Sequence, residues 1–246
     1  MVDALSYGGG HQTAGMLALI KLGRLPKPDV IIFADTGGEI PETYHHIENY
    51  AKPLADELGI PFQIVAGNLK GKGETLYEYS WNKNWIPQPF SRSCTKSFKV
   101  EPIHKALRSY KGKEAVNVWI GISLDEARRR KTAFLKWITN IYPLVDNGLT
   151  RADCDEAMRT IGMPIPPKSG CYFCPFNRTT RWREIRMHTP DLYQKAIALE
   201  ENARQVYPNM TLTGKAPLKA YLEGEQLAWE ELLEAEEGCH TGYCFV

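Results

Sequence analysis

In the first half of this 246-residue chain, short apolar runs alternate with segments of helical period. Val2–Ser6 is a short strand candidate, and His11–Leu22 follows with Met16, Leu19 and Ile20 on one helical face. Asp29–Ala34 (DVIIFA) is a continuous apolar run bounded by Pro28 and Gly37, the pattern of a strand buried on both faces. Pro41–Gly59 reads as helix, with Ile47, Tyr50 and Leu54 on one face and Pro53 expected to kink or split it. Phe62–Ala66 and Asn117–Ile122 (NVWIGI) are two further buried-strand patterns. Strands and helices alternating at these lengths predict a mostly parallel sheet covered by helices, an α/β three-layer sandwich of Rossmann type.

The pattern changes twice. Between Gly67 and Ser93, Trp81, Trp85, Pro87 and Pro89 stand among Gly, Lys and Asn without a period, which predicts a long loop. After Asn147 the chain turns helical. Thr150 is the expected cap of Arg151–Ile161, Thr189 with Pro190 opens Asp191–Val206, and Pro217–Glu236 is a third helix. The expected division is an α/β part over 1–148 and a helical C-terminal region over 149–246 that ends in a tail carrying Cys239 and Cys244.

Composition narrows the class. Hydrophobic residues at 43% and charged residues at 24% are ordinary globular usage, which excludes a disordered or fibrous chain. The 30 Lys+Arg and 29 Asp+Glu leave +1, so no global field draws the chain to nucleic acid or an acidic membrane, although a local basic patch remains open. No apolar run reaches the ~18 residues of a membrane span. Met1–Ser6 lacks the basic and apolar regions of a secretory signal, so a cytoplasmic location is expected. Six cysteines are few for a disulfide scaffold and read first as ligands or nucleophiles.

Two segments can carry chemistry. Ser6-Tyr7-Gly8-Gly9-Gly10-His11-Gln12-Thr13 lies between the first strand and its helix, where glycines turn successive amides into a nest and the helix start adds positive potential. Phosphate or sulfate is the natural guest; a tight ligand-free turn is the plainer alternative. The spacing is neither a Walker A loop nor a dinucleotide-binding fingerprint. Phe33-Ala34-Asp35-Thr36-Gly37-Gly38-Glu39 ends the second strand, at the edge where open α/β sheets bind ligands. Asp35 and Glu39 there suit a ribose, a nucleobase or Mg²⁺, or simply complement a helix dipole.

Taken in order, these residues resemble the adenylyl-sulfate and phosphoadenylyl-sulfate (PAPS) reductase family, part of the PP-loop adenine nucleotide alpha-hydrolase group. The likeness continues through Pro41-Glu42-Thr43-Tyr44, Cys94-Thr95-Lys96-Ser97-Phe98-Lys99-Val100-Glu101-Pro102, Gly121-Ile122-Ser123-Leu124-Asp125 up to Arg130, Tyr142-Pro143-Leu144, and Gly170-Cys171-Tyr172-Phe173-Cys174. The resemblance implies a nucleotide site made of Ser6, Gly8, Gly9, Gly10, Gln12 and Thr13 with Asp35, Thr36, Gly37 and Gly121. Lys99 and Arg130 would neutralise anionic oxygens. It also implies a [4Fe–4S] cluster on Cys94, Cys171 and Cys174, whose fourth ligand must then come from elsewhere, and one tail cysteine, taken as Cys244, is expected to supply it. Thr95 stands where the family carries another cysteine. A zinc site formed by Cys171, Cys174 and the two tail cysteines is the alternative, and it leaves Cys94 unexplained.

The activity implied is reduction of an adenylyl-sulfate-type nucleotide, with Cys239 as nucleophile beside His240 and a thioredoxin-like dithiol as donor. Gln12-Thr13 replaces the Asp-Ser of ATP-cleaving PP-loop enzymes. That missing carboxylate weighs against a second reading, an ATP- and Mg²⁺-dependent sulfurtransferase, in which Asp35 or Glu39 would serve instead; it is the one case that brings in a nucleic-acid partner. A third is a nucleotide-binding module with a structural metal. Cys154, in helical register with Ala157, Met158 and Ile161, reads as a core thiol.

Overall fold

The computed structural model describes residues 1–66, 73–110 and 115–224. Five strands among them form one sheet: β1 (Val2–Tyr7), β2 (Val30–Asp35), β3 (Phe62–Ala66), β4 (Val116–Ile120) and β5 (Ile138–Ile141). Their order is β3-β2-β1-β4-β5 and every pairing is parallel. The chain winds outward from β1 in one direction and then crosses to β4, so the order reverses at β1 and β4. In doubly wound sheets the crevice beyond the C-terminal ends of such a pair is where ligands bind. The three-layer α/β class read from the sequence is the observed one.

Alternate residues of each strand feed opposite cores. Leu5, Tyr7, Ile31 and Phe33 face one side, where they meet helix α1 (His11–Lys21). Ala4, Val30, Ile32, Val116, Val118 and Ile120 face the other. The first core runs past residue 148. Helix α8 (Arg151–Thr160), capped by a reciprocal Thr150–Asp153 box, places Cys154, Ala157 and Met158 against α1. A Cβ on Gly15 would lie 2.3 Å from that of Cys154, so only glycine lets the two helices approach this closely. Cys154 is fully buried, and burial pushes its thiol up to about 12.

Proline shapes two of the long helices. Pro53 lacks the N–H that an α-helix needs, and the chain answers with a wide π turn over Ile47–Ala51 between α2 (Pro41–His46) and α3 (Lys52–Glu57). The same device, Lys96–Val100, precedes Pro102 between α5 (Ser93–Thr95) and α6 (Glu101–Leu107). The stretch expected to be a loop contains helix α4 (Leu76–Asn82), opened by a Thr75–Glu78 capping box. Its Leu76 and Tyr77 pack into a third core with Phe98, Tyr172, Phe173 and Trp182. Helices α9 (Thr179–His188), α10 (Pro190–Arg204) and α11 (Leu218–Gly224) complete that core. The remainder of the expected helix to Glu236, and the tail with Cys239, His240 and Cys244, lie outside the described residues. No helix among the described residues is long and apolar enough to cross a membrane.

Candidate functional site

The glycine turn follows β1 directly at the switch point. Gly9 adopts φ +70°, a left-handed conformation that L side chains rarely take. A Cβ there would lie 2.8 Å from Thr43 Cγ2. Gly10 caps α1 without a side chain, so the first amides of the helix are satisfied by no protein side chain at the cap. Thr13 folds back beneath the turn: its buried hydroxyl accepts from the Gly8 amide at 3.3 Å and donates to the Gly10 carbonyl at 3.2 Å. Thr13 thus shapes the loop from inside.

Gly121, just after β4, is needed for contact rather than for turning. A Cβ there would meet Thr13 Cγ2 at 2.7 Å and Gln12 Cβ at 3.4 Å, so β4 seals against the helix start only because this residue is glycine. Gln12 points sideways and donates to Glu126 at 3.0 Å, and Glu126 also holds Arg129 at 2.6 Å. Arg129 is the buried arginine of its run. Arg130, expected to neutralise the ligand, is exposed and gives its Nε–H to the Ala127 carbonyl at 3.2 Å.

The second segment is organised by its own side chains. Asp35 Oδ1 accepts from the Gly37 amide at 2.8 Å and from the Tyr44 hydroxyl at 2.7 Å, an Asx turn tied to α2. Burial, and then the Asp35 carboxylate, hold the Tyr44 phenol neutral far above its ordinary range. Gly37, at φ +68°, leaves room for Thr75. Thr36 turns inward to 3.4 Å from Cys171 Sγ.

The sequence elements meet at Cys171. A bridge pairs Glu39 with Cys171, and the Tyr172 amide donates to the Gly38 carbonyl at 2.9 Å. The Cys174 amide closes the turn onto the Cys171 carbonyl at 3.1 Å. Cys94 joins from α5; it and Cys171 pack on the third core, and all three thiols are partly buried. Burial raises each thiol. Cys174 is pushed up to about 11, with Cys94 and Glu39 adding to the effect and Lys99 opposing it; Cys171 goes well above its ordinary value by burial and then by Glu39. Cys94 is raised in the same direction. The Lys99 ammonium favours the thiolate at all three. Lys99 is itself held 2.9 Å from Glu39 Oε1, while the other oxygen of that buried carboxylate has no partner among the described residues.

Three thiols around one cation match, in donor type, a sulfur-bound metal group. Among the described residues, no three His, Cys, Asp or Glu groups stand at metal-binding spacing.

A strap that the sequence did not single out connects the two centres. From Met163 the chain runs through Pro164, Pro166 and Pro167 to Ser169 and on to Cys171. His46 Nε2 bonds the Pro164 carbonyl at 2.8 Å, and Pro166 is buried. Ser169 ends beside the glycines: a Cβ on Gly10 would stand 3.0 Å from Ser169 Oγ. The signal in the sequence was the proline run just before Cys171, whose fixed φ values favour an extended path.

Comparison with known proteins adds the following. The chain is 27% identical over 184 residues to Uncharacterized protein MJ0973 of Methanocaldococcus jannaschii, covering 68% of this chain and 40% of that one. It is 27% identical over 152 residues to the Uncharacterized nin region protein ORF290 of Escherichia phage lambda, covering 53% and 51%. The chain thus spans about half or less of the length of these curated relatives. Among solved structures, a phosphoadenylyl-sulfate (PAPS) reductase from Candida auris in phosphate complex superposes with a TM-score of 0.49 at 19% identity, over 68% of this chain and 75% of that one. The U34-tRNA thiolase NcsA from Methanococcus maripaludis with its [4Fe-4S] cluster gives 0.47 at 14%, over 92% and 81%. The family model for the phosphoadenosine phosphosulfate reductase domain matches residues 3–146, more than half of the chain. The protein therefore belongs to the phosphoadenosine phosphosulfate reductase family.

Proposed function

We propose that the chain binds an adenine nucleotide with its phosphate or sulfate end in the glycine turn, and reduces an adenylyl-sulfate-type substrate there. The observation that carries this reading is that the turn after β1 and the thiol beside the end of β2 share the C-terminal edge of the sheet and are joined by a strap in which Ser169 stands against the Cβ position of Gly10 and Cys171 follows two residues later. The free first-turn amides of α1 suit an oxyanion, and Asp35, Thr36, Gly37 and Gly121 line the edge where the nucleoside would lie. Lys99 would neutralise oxyanion charge at the rim of the thiols.

The chemistry balances with two thiols. Cys239, outside the described residues, attacks the sulfonyl sulfur as thiolate; the S–O bond to the nucleotide breaks and the nucleotide leaves with the electron pair. The enzyme then carries a thiosulfonate. A dithiol donor of thioredoxin type attacks the Cys239 sulfur, the S–S bond breaks, and sulfite departs with that electron pair. The donor's second thiol resolves the mixed disulfide, so the donor is oxidised by two electrons and the substrate sulfur is reduced by two. Cys94, Cys171 and Cys174, with Cys244, would hold a [4Fe–4S] cluster, which when bound would supply fixed charge and tie the segments that carry these cysteines together.

Anaerobically purified protein given adenylyl sulfate, or its 3′-phosphate, and a dithiol should release sulfite and contain iron and sulfide. Pyrophosphate released from ATP without sulfite would move the assignment to the ATP-dependent sulfurtransferase class, with Mg²⁺ on Asp35 or Glu39. Nucleotide binding with neither product, and stoichiometric zinc, would leave a binding module.

A further inference from the structure

We propose that the Met163–Gly170 strap walls the anion site and that Ser169 donates its hydroxyl to the phosphate or sulfate held by the glycine turn. This rests on the nucleotide reading above and adds to it a positioning residue.

Two observations support it. First, the strap is anchored. His46 on α2, beside the glycine turn, bonds the Pro164 carbonyl at 2.8 Å, and Pro166 is buried. Pro164, Pro166 and Pro167 restrict the path from that anchor, so Ser169 is delivered to one place.

Second, that place is the start of α1. Ser169 Oγ stands 3.0 Å from where a Gly10 Cβ would be, and Gly10 is the cap of α1, where no side chain bonds the first amides. Ser169 Cβ stands 3.8 Å from the corresponding position on Gly9. No hydrogen bond engages the half-buried Ser169 hydroxyl among the described residues. Thr43, fully buried, approaches the same Gly9 position with its methyl at 2.8 Å, and its own hydroxyl has no partner among the described residues. Two uncommitted hydroxyls thus neighbour one turn whose glycines are required by close contact. A buried hydroxyl ordinarily finds a partner, so this arrangement suits a polar guest.

The test is titration of Ser169→Ala and wild-type protein with adenosine 5′-monophosphate and, separately, with adenosine. Loss of one hydrogen bond to a charged group should weaken the monophosphate roughly tenfold and leave adenosine unchanged, with the thermal midpoint unmoved. Equal monophosphate affinity in both proteins would overturn the role of Ser169 while leaving the nucleotide site intact. An equal loss for adenosine would show that Ser169 does not act through the anion and would overturn the proposal. Wild-type protein that binds neither compound would remove the nucleotide reading itself, and this inference with it.

Discussion

The glycine turn and the thiol centre lie at the same edge of the sheet but are built in opposite ways. The turn consists of backbone: Gly8, Gly9, Gly10 and Gly121 contribute amides and absent side chains, and their neighbours Thr43, Thr13 and Ser169 occupy the space that a Cβ would need. The thiol centre consists of side chains brought from three separate segments: Cys94, Cys171 with Cys174, and the Glu39–Lys99 pair. The first is broken by adding atoms, the second by removing them. A backbone site depends on the local path of the chain, whereas a side-chain site depends on the whole third core holding its segments in place.

The largest effect should come from adding one carbon to the turn. Gly9→Ala puts a methyl 2.8 Å from Thr43 Cγ2 at φ +70°. Left-handed strain and overpacking together should cost about 3 kcal/mol, read as a lowered denaturation midpoint, and nucleotide affinity should fall with it. Pairing it with Thr43→Ser, which removes the clashing methyl, should recover the packing share and leave the backbone share. If Gly9→Ala is as stable as wild type, the turn is not held by these contacts and the contrast fails on its first side.

The opposite half should respond to loss of an acceptor. Glu200 on α10 is buried, and its two oxygens accept the Leu212 and Leu218 amides, each at 2.7 Å, pinning the 212–218 segment to the third core. Burial raises its acid range, with the two amides opposing that shift. Glu200→Gln keeps the shape but offers only one accepting oxygen, leaving one amide facing an NH₂ group. The expected cost is about 2 kcal/mol, measured by urea unfolding. The glycine turn should keep its nucleotide affinity. Were affinity to fall in parallel with stability, the two halves would be one cooperative unit and the comparison would lose its meaning.

The same contrast governs what could be read from the sequence. β1, β2 and β3 and the turn after β1 are contiguous segments, and the apolar run or glycine cluster that marks each is also what builds it. β5 leaves no signal because Ile138-Thr139-Asn140-Ile141 is a four-residue edge strand with too little apolar pattern. Helix α4 looks like loop in the sequence because its aromatics Tyr77, Tyr79 and Trp81 obscure the period, although the Thr75–Glu78 box is a start signal. At the thiols, the Cys171–Cys174 spacing was legible, and Cys94 was identified only through the family motif. That Glu39 bonds Lys99, that Arg129 is buried while Arg130 is exposed, and that Ser169 abuts Gly10 depend on tertiary packing between distant segments. No local pattern encodes such contacts.

The smallest expected effect tests the seam between the halves. His46 is buried, with Nε2 donating to the Pro164 carbonyl and Nδ1 unpartnered. Burial lowers its pKa below 6.5, with His45 and His11 adding to that shift and the Pro164 carbonyl opposing it; His11 is lowered as well, by burial and then by Arg151, against Asp155. In the unfolded chain both histidines take up a proton near 6.5, before they do so in the folded one. The unfolded state therefore binds more protons as pH falls past that value, and the stability present above it is progressively lost. Urea unfolding at pH 7.5 and 5.5 should show lower stability at the acid end, by no more than about 1.4 kcal/mol per histidine for each pH unit between its two pKa values. His46→Gln can still donate to Pro164 but cannot titrate, so its acid loss should be smaller than that of wild type. An unchanged acid loss in His46→Gln would mean that this histidine titrates as freely in the folded protein as in the unfolded chain, and the strap would then lose its buried anchor on α2.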